Sequence, residues 1–174
     1  MMDTIVTIET AGKSEATLKS ATDKAFAAFQ EIADETDSYA SHGPDDLYAI
    51  NEKAGMGPQK AAPHLLAILK SAASHPHQEL SLTLGPVIKI WNDSREKKIV
   101  PSKAEIAEAL TLTKGTRVSI DEKAGTLTLM PGTQLDLGAV AKGYAVEEAA
   151  KVLQKEGGFQ TALINAGGNI KVLG

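Results

Sequence analysis

Apolar residues recur along this chain with two different periods, and the switches between them divide it into strands and helices. Residues 4–9, Thr-Ile-Val-Thr-Ile-Glu, alternate and are rich in β-branched side chains, which predicts a strand. From about Ser14 to Thr36 the step lengthens: Leu18, Ala21, Ala25, Phe29 and Ile32 recur every three or four residues with acids and lysines between them, which predicts a long amphipathic helix. Asp37 to Pro44 then reads as a loop carrying Tyr39, and Asp45 to Lys53 as a short helix stopped by Gly55.

Pro63 opens a further helix through Leu65, Leu66, Ile68 and Leu69, and Ser102-x-x-Glu105 has the form of a capping box before another helix through Ala109. Between them lies Leu80-Ser81-Leu82-Thr83-Leu84-Gly85-Pro86, followed by an apolar turn in which Trp91 is expected to pack into the core. Arg117 to Asp121 and Thr126 to Met130 alternate across Glu122-Lys123-Ala124-Gly125 and predict a hairpin. A helix from Lys142 to about Glu156 is stopped by Gly157-Gly158. Gln160 to Ile164 and Ile170 to Leu173 form a last hairpin around Asn165-Ala166-Gly167-Gly168. Strands that pair with sequence neighbours, and helices gathered against them, predict an α+β fold with a mostly antiparallel sheet.

Composition narrows the reading. The 174 residues are 43% hydrophobic and 23% charged, enough for a sizeable core in a single domain spanning 1–174. A net charge of -4 without a lysine- or arginine-rich run gives neither a nucleic-acid footprint nor a polybasic membrane anchor. No stretch approaches the roughly 18 consecutive apolar residues of a helical membrane span. Cysteine is absent, which excludes disulfides, thiolate metal sites and a cysteine nucleophile. Proline stands between His75 and His77, so they cannot form a helical metal-binding pair.

The most informative stretch is Leu135-Asp136-Leu137-Gly138-Ala139-Val140-Ala141-Lys142-Gly143. A short apolar strand ends in an acid, turns on Gly138 and opens a helix whose first turn holds Lys142. Backbone N–H groups at a helix start lack intrahelical partners and the macrodipole is positive there, so the place suits an anion such as a nucleotide phosphate. An ordinary strand-to-helix turn with a solvated lysine has the same spacing. Tyr144 and Ala145 stand where a Walker loop requires Lys and Ser/Thr, and no GxGxxG follows a strand, so neither a P-loop nor a Rossmann site is present. Asp136 has two readings on its own: a cap for the following helix, or a ligand contact.

Five segments in order resemble the ApbE family, the bacterial FAD:protein FMN transferases: Met2-Asp3-Thr4 on the first strand, Tyr39 with Asp45-Asp46-Leu47-Tyr48-Ala49-Ile50-Asn51, Leu80 to Pro86, Asp136 to Val146, and Leu163 to Ile170. The resemblance implies an ApbE-like, T-fold-like architecture. It also implies an enzyme that binds FAD with Mg²⁺, splits the pyrophosphate and attaches FMN to a Thr or Ser of a target flavoprotein. Carried over position by position, it assigns FAD contacts to Met2, Tyr39, Glu79, Leu80, Ser81, Thr83, Asp136 and Lys142, and one Mg²⁺ ligand to the backbone carbonyl of Ala139. It leaves the catalytic group unassigned. Hydrolysis of FAD to FMN and AMP, and FAD binding without catalysis, are the alternatives.

Two departures qualify the expectation. Ser81 and Leu82 stand where the family usually has Asp before a Pro/Ile-Thr pair, so contacts there fall to the backbone. The remaining Mg²⁺ ligands of the family, an acid and a threonine much farther along, are not in this sequence; a C-terminal segment on another chain is the expected partner. Family members are commonly lipoproteins on the periplasmic side of the inner membrane, and that location is implied here by resemblance alone.

Overall fold

A computed structural model describes residues 2–74, 80–115 and 117–174. In chain order the elements are β1 (Val6–Thr10), α1 (Glu15–Glu35), α2 (Leu47–Glu52), β2 (Gln59–Lys60), α3 (Pro63–Ser74) and α4 (Gly85–Glu96). They continue with α5 (Lys103–Thr111), β3 (Val118–Asp121), β4 (Thr126–Leu129), α6 (Ala141–Gly157), β5 (Ala162–Ala166) and β6 (Asn169–Leu173). Where composition suggests one unit over 1–174, the contacts gather into two. One joins the chain's two ends, Met1–Thr36 and Gly138–Gly174, and the other is the intervening Asp37–Leu137.

In the first unit the strands form an antiparallel sheet in the order β1-β5-β6. Ile8 sits opposite Ile164 and Asn165 opposite Ile170. The buried face of β5 offers Ala162, Ile164 and Ala166, and α1 packs along α6, which also lies against β5 and β6. Small residues set this approach: Ala21 and Ala25 on α1, and Ala145 and Ala149 on α6, are all buried, with Phe29, Ile32 and Leu153 filling between. Each fully buried large apolar side chain contributes about 1.5 to 3 kcal/mol. Ser14 caps α1 through Thr17 N. Gly158 ends α6 in the left-handed conformation, with φ of 60°. Gly167 and Gly168 carry the positive φ that the β5–β6 turn demands.

The second unit holds the antiparallel sheet β2-β4-β3 with helices α2 to α5. The β3–β4 hairpin turns on Gly125, with φ of 64°, while Asp121 Oδ1 accepts a hydrogen bond from Ala124 N. The capping box before α5 is complete: Ser102 Oγ accepts from Glu105 N and the Glu105 carboxylate accepts from Ser102 N.

Three expectations are corrected, and one strand was not foreseen. Met2-Asp3-Thr4 is not on the first strand, because Met2 and Asp3 have left-handed φ of 48° and 51°, which breaks the alternation, and β1 starts only at Val6. Trp91 lies on a full helix rather than a short turn and is 47% exposed, so it is not a core residue. Leu135–Leu137 joins no sheet ladder. The two-residue strand β2 is too short to show a period and was not legible.

Candidate functional site

The segment 134–136 is held by an unusual partner. Buried Asn51, at the end of α2, donates through Nδ2 to Leu135 O at 2.9 Å and accepts through Oδ1 from Leu135 N at 2.8 Å. One side-chain amide thus replaces a neighbouring strand, satisfying both backbone groups of a buried residue. On the other side Gly85 N donates to Gln134 O and Asp136 N to Leu82 O. A carbon at Gly85 would fall within 2.8 Å of the Gln134 backbone, so only glycine lets α4 start this close.

Those contacts place Asp136 beside α4 on a polar cleft of about 460 Å³, whose walls include Tyr39, Tyr48, Ile88, Asn92, Arg95 and Asp136. Its size falls in the range of small-molecule sites. Tyr39 is 67% exposed. Its loop is fixed by two carboxylates. Asp37 Oδ1 accepts from Tyr39 N at 2.7 Å and Ala40 N at 3.2 Å, and its Oδ2 lies 3.0 Å from His42 Nε2. Buried Asp46 accepts from Ala49 N as the cap of α2, and from His42 N, Gly43 N and Ser41 Oγ. Burial works to raise both carboxyls, but these hydrogen bonds outweigh it and hold Asp37 and Asp46 below the ordinary aspartate value.

Leu80 and Thr83 line a different cavity of the same unit. It encloses about 320 Å³ and is almost wholly apolar, with Leu69, Leu82, Val118, Ile120 and Leu135 among its walls. The Thr83 hydroxyl donates to Thr113 O at 3.1 Å and also meets Ser81 Oγ at 3.2 Å, so both hydroxyls are engaged within the protein. The residues expected to touch FAD in this unit therefore fall into a polar group, Tyr39 and Asp136, and an apolar group around Leu80 and Thr83, with Leu135 on both cavities. Glu79, like His75 and His77, lies outside the described residues.

In the first unit Lys142 is the second residue of α6, and Nζ donates to Gly138 O at 3.2 Å. No side chain caps this helix start: Val140 holds the cap position without a side-chain hydrogen bond. Ala139 sits exposed in the turn 138–140, where its carbonyl is one hard oxygen. That carbonyl is one oxygen of the near-octahedral set that Mg²⁺ demands. Met2 is half-buried ahead of β1. Sequence reasoning missed Asn51, Asn92 and Arg95 as site residues. Asn51 fell within a quoted segment, but nothing in a sequence announces that an amide will bond both sides of a distant residue.

An FAD:protein FMN transferase from Klebsiella pneumoniae is 35% identical over 129 residues, which are 72% of this chain and 40% of the relative. One from Treponema pallidum is 32% identical over 146 residues, 78% of this chain and 40% of the relative. The chain thus spans about two-fifths of the length of these relatives. A solved variant of flavin transferase ApbE from Vibrio cholerae superposes with a TM-score of 0.86 at 24% identity, over 99% of this chain and 60% of that one. The ApbE protein of Thermotoga maritima gives 0.83 at 21%, over 99% and 56%. Identities this low speak for the fold, which is the mixed α and β architecture with antiparallel sheets. The ApbE family itself matches residues 2–174, nearly the whole length, and the chain belongs to that family.

Proposed function

We propose that this chain supplies the FAD-binding part of a flavinyltransferase, which moves FMN from FAD to a Thr or Ser hydroxyl of a target flavoprotein. The observation that carries the reading is the start of α6, whose cap residue Val140 makes no side-chain hydrogen bond and whose first turn bears Lys142, with Nζ donating to Gly138 O. Free N–H groups, the helix dipole and an ammonium together suit a pyrophosphate, and charge-assisted bonds stabilise the charge that develops when its P–O bond breaks. In the second unit Tyr39 offers a ring face and Asp136 an acceptor for ribityl or ribose hydroxyls. Leu80, Ser81 and Glu79 are assigned to the flavin through their backbone.

Mg²⁺, when bound, supplies Lewis-acid polarisation of the pyrophosphate. Ala139 contributes one carbonyl to it in this reading, and the remaining ligands and the attacking hydroxyl belong to what relatives carry outside the matched portion. A periplasmic, lipoprotein-anchored location goes with the same family assignment, and fractionation of cells expressing the native gene would test it.

The direct test is an FAD titration of residues 1–174. Lys142→Ala should weaken binding about ten- to a hundredfold, from the loss of about 1.5 to 3 kcal/mol, with the urea midpoint nearly unchanged. Lys142→Met should behave the same way, because charge and not length is removed. An unaltered titration would return Lys142 to the solvated surface and remove the phosphate site.

A further inference from the structure

Tyr39 is held at both ends while its ring face stays open. At the backbone end Asp37 Oδ1 accepts from Tyr39 N at 2.7 Å and from Ala40 N at 3.2 Å, closing a turn around the residue. At the other end Asn92 Nδ2 donates to the Tyr39 hydroxyl at 3.4 Å. The amide is itself oriented, since Arg95 Nη2 donates to Asn92 Oδ1 at 3.0 Å and leaves the NH₂ group for the tyrosine. Asn92 and Arg95 come from one turn of α4, and both line the cleft that Tyr39 overhangs. A tyrosine 67% exposed on a loop has no packing reason to be tethered twice. An exposed ring fixed before binding loses less conformational freedom when a flat ligand stacks on it.

We infer that Asp37 and Asn92 are positioning residues that hold the Tyr39 ring ready to stack on the flavin nucleotide, with Arg95 setting the orientation of the Asn92 amide. The inference rests on the FAD-binding reading and adds to it residues that act on the ligand through Tyr39. The tether at Asn92 acts only through the hydroxyl, so its contribution disappears when that hydroxyl is absent. The tether at Asp37 acts through the backbone and needs only an acceptor oxygen, which asparagine also has.

The test is FAD titration of residues 1–174 and its variants, read both as affinity and as the visible circular dichroism of bound flavin, which reports the ring against an asymmetric partner. Tyr39→Phe and Asn92→Ala should each weaken binding about three- to tenfold, and the double variant should be no weaker than either alone. Asp37→Ala should weaken binding by a similar factor and diminish the visible signal, while Asp37→Asn should retain most of both. Additive losses in the double variant, or unaltered binding by Asn92→Ala alongside impaired binding by Tyr39→Ala, would overturn the positioning role and leave the cleft's reading standing. Unaltered binding by Tyr39→Ala would overturn both.

Discussion

Asp46 shows how much one residue can decide in a loop this short. Its carboxylate is buried, yet it is both the cap of α2 and the acceptor for three groups of the preceding loop, His42 N, Gly43 N and Ser41 Oγ. Removing it leaves several donors unpaired where water has poor access, so Asp46→Ala should cost about 2 kcal/mol, measured by urea unfolding. The sign of its pH dependence follows from the lowered value in the folded state. An aspartate ionises at about 4 in the unfolded chain, so its stabilising contribution is complete above that pH and is lost as pH falls through the lower folded value. The wild-type urea midpoint should therefore decline between about pH 5 and pH 2 more steeply than that of Asp46→Asn. Equal slopes in the two proteins would mean that the hydrogen bonds do not favour the charged form. The sequence marked Asp46 only as part of a helix-start segment. Neither its capping of α2 nor its grip on the loop was read there, the second because it depends on a backbone path no local pattern specifies.

At the scale of elements, the long periodic helices and the two hairpins were readable, since each rests on a local device: Ser14 and the Ser102–Glu105 box at helix starts, Gly158 at a helix end, Gly125 and Gly167-Gly168 at turns. What could not be read depends on contacts distant in sequence. The apolar run Leu135 to Leu137 satisfies a strand pattern, yet Asn51 takes the place of a sheet neighbour, and the Trp91 helix turns its indole outward despite its size. The candidate site divides the same way: Asp136 and Lys142 came from the turn into a helix start together with the resemblance, Tyr39 from the resemblance, while Asn92 and Arg95 came only from the fold. The junction of α4 with segment 134–136 is the element on which the cleft depends. Gly85→Ala would push a methyl into the Gln134 backbone, which cannot yield as a flexible side-chain tip does. We expect a loss of about 1 to 3 kcal/mol in urea unfolding together with weakened FAD binding, since overpacking displaces both walls. A loss of stability with FAD affinity intact would separate the junction from the site.

For the whole molecule, the question is which parts of the reaction residues 1–174 can carry. Binding and transfer make different demands. Binding needs a ring platform, hydroxyl acceptors and a phosphate site, all of which have candidates among Tyr39, Asp136 and Lys142. In the proposed reaction, transfer would further need a complete Mg²⁺ sphere and an acceptor hydroxyl held in line with the phosphorus, and toward these the resemblance assigns the Ala139 carbonyl. The relatives matched are about two and a half times as long as the aligned portion, so there is ample chain in them for the rest. β6 lies at the end of the sheet order β1-β5-β6 and exposes Ile170 and Val172, and an apolar edge strand readily accepts another strand. We therefore expect residues 1–174 to bind FAD but not to label a Thr-containing target peptide with FMN in the presence of FAD and Mg²⁺. Supplying the portion that relatives carry beyond the match, in cis or in trans, should bring labelling, detected as flavin fluorescence on the denatured target. Mg²⁺-dependent labelling by residues 1–174 alone would overturn this and direct attention to Asp45, Asp46 and Asp136 as metal ligands. Release of FMN and AMP without labelling would make water the acceptor and the chain part of a pyrophosphatase. Persistent FAD binding with neither outcome, even in the completed protein, would favour a flavin-binding module over an enzyme.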